Sequence, residues 1–175
     1  MKKNCIIFLL SIIISVTIAA WKTPTNHFEE SSRYLRIHIR ADSNDFADQS
    51  VKYAVRDSVV EYLTPLVSEY ETKDEALKGI EKNLSKVVKK AEETLRKNGF
   101  SYGAKASLKR EEFPTRVYGE YTLPQGEYSA LIIELGSGQG DNWWCVVYPP
   151  LCFSGVETGV VYKSKIKEII KDFFD

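Results

Sequence analysis

The chain has 175 residues, with 24 Lys+Arg against 24 Asp+Glu, and its formal net charge is zero. That balance excludes a strongly basic nucleic-acid binder and an acidic tail protein. With 43% apolar and 27% charged residues the composition is that of an ordinary globular chain, and its length suits one domain.

Met1–Lys3 carries two lysines, and an apolar run follows from Cys5 to Ala20, broken only by Ser11, Ser15 and Thr17. A basic start, an apolar middle and a small-residue end read as a secretory signal. The run falls slightly short of the roughly 20 residues of a spanning helix. The small-residue end is imperfect, so an uncleaved N-terminal anchor is the alternative. In both readings the remainder works outside the cytoplasm, and the chain contacts a membrane only through residues 1–20 and only if these are uncleaved. Trp21 to Arg33 is polar and reads as a flexible arm. The folded domain is expected over 34–153, with a C-terminal extension over 154–175.

Leu35, Ile37 and Ile39 alternate with Arg36, His38 and Arg40. Period two predicts a half-buried strand with a basic outer face. ADSND supplies turn and N-cap residues. Val51, Val55, Val59, Tyr62, Leu63 and Leu66 then recur at helical spacing, with Pro65 near the end. Thr72 and Glu75 are spaced as a capping box before a second stripe of Leu77, Ile80, Leu84, Val87, Ala91 and Leu95. Asn98-Gly99 is a natural stop. The short linker predicts an antiparallel helical hairpin.

Strand patterns follow over Tyr102–Arg110, Arg116–Thr122, Glu127–Leu135 and Asn142–Tyr148. The expected fold is therefore α+β and two-layered. A helical hairpin packs on a mainly antiparallel sheet, in the order β-α-α-β-β-β-β. A C-terminal amphipathic helix is expected where Ile166, Ile169, Ile170, Phe173 and Phe174 share a stripe.

Chemistry-bearing patterns are sparse. The two histidines, His27 and His38, and the cysteines outside the apolar run, Cys145 and Cys152, lack the close pairs of a zinc site. No metal and no cofactor is implied. His38, Asp42 and Ser43 resemble a triad superficially, but no nucleophile elbow surrounds Ser43, and turn and cap roles explain the last two better. The glycine loop GSGQGDN has no lysine and precedes a strand, so it is not a phosphate cradle. Cys145 and Cys152 flank Pro149-Pro150 and form either an exported disulfide or two buried thiols.

The densest segment is Asn142–Phe153, NWWCVVYPPLCF. Adjacent tryptophans on a strand point to opposite faces, so Trp143 and Trp144 cannot fill one core. The segment is either a sheet buried on both faces or a surface whose aromatics anchor a partner. Trp143, Trp144, Tyr148, Leu151 and Phe153 are the first candidate partner-binding residues. Arg36, His38 and Arg40, as a basic strand face, are the second.

Four motifs carry a resemblance. They are Arg36/His38/Ala41/Ser43 (R-x-H-x-x-A-x-S), Lys52/Val55/Arg56/Asp57 (K-x-x-V-R-D), Leu123/Pro124/Gly126/Tyr128/Ala130/Leu131 (L-P-x-G-x-Y-x-A-L), and Gly138/Gly140/Asn142 running on through Phe153. In this order, over Leu35 to Phe153, the chain resembles the stage II sporulation protein R family. Asp42 is a small departure, where asparagine is usual. The resemblance implies a non-catalytic signal made in the forespore and exported into the space between the two membranes. There such a protein is needed to activate a membrane-embedded aspartic protease of the mother cell, which processes the pro-sigma-E factor. The alternative from the residues alone is an extracytoplasmic hydrolase or a cell-wall-binding module, since glycan binding also uses exposed aromatics.

Overall fold

A computed structural model of the chain describes residues 31–119, 121–153 and 168–173. The predicted export segment and most of the predicted arm lie outside the described residues. Residues 31–33 are helical and lead into β1 (Leu35–Arg40). Two helices follow, α1 (Phe46–Val67) and α2 (Lys73–Lys97), then five strands. These are β2 (Ala104–Phe113), β3 (Arg116–Tyr118), β4 (Tyr121–Leu123), β5 (Gly126–Leu135) and β6 (Asn142–Tyr148). A 3-10 turn at Leu151–Phe153 closes the run, and residues 168–173 are helical.

The helix periodicity is read out directly by burial. Val51, Val55, Val59, Leu63 and Val67 of α1 are buried, as are Ala76, Ile80, Val87, Ala91 and Leu95 of α2. The predicted cap of α2 forms: the Glu75 amide donates to Thr72 Oγ1 at 3.2 Å. The Glu75 carboxylate accepts from the Glu71 amide at 2.9 Å rather than from Thr72. Gly99 stands just past the helix at φ +84°, the left-handed conformation that lets the chain reverse. Tyr62 of α1 reaches Asn83 of α2, while Tyr70 beyond α1 lies against Gly79, so the two helices run antiparallel.

The sheet order is β2-β5-β1-β6, and β3 and β4 form a separate two-stranded hairpin. β1 runs parallel to β5 and antiparallel to β6, and β2 is antiparallel to β5. The architecture is α+β, a helical pair on a mainly antiparallel sheet. The predicted single strand Arg116–Thr122 is instead the β3–β4 hairpin, with Gly119 at its tip. One face of the sheet presents Leu35, Ile37, Ile39, Leu131, Ile133, Leu135, Cys145 and Val147 to the helices.

The opposite face is not left to water. Tyr34, Phe113, Leu123, Tyr128, Ala130, Ile132 and Val146 form a second apolar cluster there. β2 and β6 are the two edges, separated by β5 and β1, which in a flat sheet means about 14 Å. Yet the rings of Phe113 on β2 and Trp144 on β6 meet with centres 4.8 Å apart. The end of β2 therefore curls over the second face. Phe173 of the C-terminal helical turn packs on Tyr34 at 5.3 Å and meets Tyr148 edge-on at 6.2 Å.

Candidate functional site

β1 is an interior strand, with β5 on one side and β6 on the other. That position corrects the expectation of a basic outer face. Arg36 is 0% exposed and His38 1%, and only Arg40 is half-buried. The alternation of β1 is real, but both of its faces are covered. A local pattern cannot show this, because the covering residues come from β2, β3 and β6.

Arg36 lies in an aromatic cage. Its guanidinium carbon is 4.2 Å from the centre of Phe113, 4.9 Å from Tyr128 and 5.8 Å from Tyr118. Nη2 donates to the Tyr118 hydroxyl at 2.7 Å. Nε and Nη1 are buried and make no hydrogen bond among the described residues. The ring faces supply electrostatic compensation in place of a carboxylate. Burial pulls the Arg36 pKa below its usual value, while Tyr118 pulls it back up.

His38 is held differently. Its ring stacks on Trp144 and lies edge-on to Phe113, with centres 3.8 Å and 5.9 Å away. Nδ1 is 3.0 Å from a carboxylate oxygen of Glu111. Desolvation lowers the His38 pKa, opposed by the nearby Asn142 side chain and by Glu111, while Nε2 is buried with no hydrogen-bond partner among the described residues. The ring is thus neutral, with Nδ1–H donating to Glu111. Arg40 completes the network, donating to Glu134 at 3.0 Å and to Glu111. Arg40 is thereby paired with both carboxylates, and Glu111 also with His38.

The turn after β1 explains the first and last sequence motifs together. The Ser137 amide donates to Asp42 Oδ1 and the Asp141 amide to Asn44 Oδ1. Ser43 Oγ donates to Asp48, which also accepts from the Tyr102 hydroxyl at 2.8 Å. A Cβ at Gly140 would lie 2.2 Å from the Ser43 carbonyl oxygen, so the glycine permits the close approach of the two loops. Lys52 is buried there too, donating to Gln49 and to the Asp141 carbonyl at 3.0 Å. Burial lowers its pKa, and Asp141 opposes the shift. Ser43 and Asp42 hold this joint and are not set beside His38 as a relay.

In the aromatic segment, Trp143 and Trp144 take opposite faces of β6. Trp143 packs with the helix-side cluster and Trp144 with the second cluster, and both are half-buried. Tyr148 is buried, and its hydroxyl donates to the Glu71 carbonyl at 2.5 Å. Leu151 packs against the second cluster, and Phe153 ends the 3-10 turn. Cys145 and Cys152 are joined in a disulfide with Cα atoms 5.9 Å apart. Of the residues singled out in the sequence, Arg40, Trp143, Trp144 and Leu151 reach the surface, whereas Arg36, His38 and Tyr148 do not.

Sequence reading missed the flank of Trp143 on α1. Phe46 is 89% exposed and Tyr53 44%, one above the other at a seven-residue spacing. The Arg56 guanidinium carbon lies 4.9 Å from the Tyr53 ring centre and 5.7 Å from that of Trp143. The signal available was an apolar residue at a helix start with no core partner at its spacing. Among the described residues, no group of three or more His, Cys, Asp or Glu is placed to hold a metal ion.

A family profile described as Stage II sporulation protein R matches residues 31–158. The chain is also similar to the stage II sporulation protein R of Bacillus subtilis strain 168. The two are 32% identical over 173 residues, covering 94% of this chain and 77% of the relative. No solved structure matches the chain. By the profile match and this similarity, the chain belongs to the stage II sporulation protein R family, whose name ties it to spore formation.

Proposed function

We propose that the protein is a non-catalytic, exported signal of endospore formation. Made in the forespore, it crosses the forespore membrane and activates a membrane-embedded aspartic protease of the mother cell, which then processes the pro-sigma-E factor. The observation that carries this reading is the family match over 31–158, which takes in both the β1 and β6 motifs. The basic first residues and the apolar run from Cys5 to Ala20 supply the export route.

The residues support a ligand better than an enzyme. His38 is enclosed by Trp144, Phe113 and Glu111, so its ring meets no solvent-exposed substrate position. A signal needs instead a rigid surface with anchors, and β6 with the flank of α1 provides one.

Coexpression in a non-sporulating host tests the proposal. This chain, the protease and its pro-sigma substrate are combined, and processing is followed by the size of the sigma factor. Processing that depends on this chain is the expected result. Processing that is indifferent to it refutes the reading. Cleavage of wall glycan by the purified chain instead favours the hydrolase alternative.

A further inference from the structure

The two edges of the sheet are built on opposite principles. The outer strand β2 carries exposed Lys105, Lys109, Arg110 and Glu112, the charges that discourage another strand from pairing. β6, NWWCVVY, carries no charge in seven residues. Among the described residues no strand pairs with its outer side. The Leu151–Phe153 turn, tied back by the Cys145–Cys152 disulfide, packs on the later part of β6. The accessible stretch is therefore Asn142–Trp144, whose first residue is exposed and whose tryptophans are half-buried.

We propose that this stretch takes an extended segment of the partner as an added strand, and that the segment carries a carboxylate directed at Arg56. Main-chain hydrogen bonds to an open edge hold such a segment, and side-chain anchors select it. Trp143 and Trp144 flank the added strand on its two faces. On the helix side Arg56 sits between the rings of Tyr53 and Trp143. Its present partner is Asp57 at 2.7 Å, a neighbour in sequence that is largely exposed. Such an exposed pair is weak, so an incoming carboxylate replaces it at little cost. Phe46 and Tyr53 extend the apolar margin along α1.

The inference rests on the proposed protease activation, and the test separates the two. In the coexpression host, Arg56→Glu and Asn142→Asp should each cut pro-sigma processing about tenfold or more, since a negative charge at the edge repels the segment's carboxylate. Lys105→Glu on the guarded edge should leave processing unchanged. Thermal unfolding of each purified variant should match the wild type. In parallel, a photo-crosslinking amino acid at position 142 should attach to the protease, and one at position 105 should not. If wild-type chain gives no processing, the activation reading fails first. If wild type is active and the Arg56 and Asn142 variants keep full activity, the docking edge is refuted. Crosslinking at 142 to a second copy of this chain also overturns it, because a dimer then occupies the edge.

Discussion

His38 of β1 and Trp144 of β6 stack face to face, with ring centres 3.8 Å apart and planes 22° apart. The pair is opposite in register across the β1–β6 ladder. It joins the family motif around β1 to the aromatic motif of β6 by direct contact. Because the stack excludes water from the imidazole, protonation of His38 is disfavoured in the folded state.

That lowered pKa sets the sign of a pH effect. The unfolded chain takes up the His38 proton at an ordinary pKa of about 6.5, and the folded chain only at lower pH. Its stabilisation is full above that value and is lost as pH falls toward the folded pKa. Urea midpoints should therefore fall between about pH 7 and pH 5, and His38→Gln should flatten that slope. An unchanged slope in the variant assigns the effect elsewhere.

The two tryptophans should separate into different roles. Trp144→Ala removes the stack on His38 and the contact with Phe113, and should cost about 2–3 kcal/mol of unfolding free energy. Trp143→Ala should stay near wild-type stability and weaken partner affinity roughly thirtyfold, the loss typical of an interface anchor. Thermal unfolding and pro-sigma processing, measured on both variants, decide the matter. Equal instability in both would make β6 a purely structural strand.

Arg36 gives a test of the aromatic cage. A buried cation with no carboxylate partner among the described residues bears a desolvation cost that the rings and the Tyr118 hydroxyl offset in part. Arg36→Met keeps most of the volume and removes the charge, so the denaturation midpoint should rise. Arg36→Ala leaves a void and should lower stability by about 3 kcal/mol. A loss in the Met variant as large as in the Ala variant would show that the charge itself holds the β3–β4 hairpin in place.

The Cys145–Cys152 bridge closes a short loop, with a sequence separation of 7. By chain entropy it should contribute about 2–3 kcal/mol. The double Ser variant should unfold correspondingly earlier while still signalling. Alkylation of the denatured, unreduced protein should label neither thiol, and reductant should expose both.

Much of the fold could be read along the chain because helices and strands are local. The stripes of α1 and α2 needed only spacing, and Thr72 with Glu75 announced a helix start through bonds within one turn. The opposition of Trp143 and Trp144 across β6 follows from the two-residue period of any strand. What lies on each face is a different matter. Arg36 and His38 sit in positions that look solvated, and in one edge strand they would be. They are buried because β1 is placed between β5 and β6 and because β2 curls until Phe113 meets Trp144. Those contacts join residues far apart in the chain, Phe113 and Trp144 by 31 positions and the pairs of β1 by more than 90, and no periodicity encodes them. The same holds for the open side of β6. The absence of charge in NWWCVVY is written in the sequence, but only strand order makes that stretch an edge, and only the packing of α1 sets Arg56 and Tyr53 beside it.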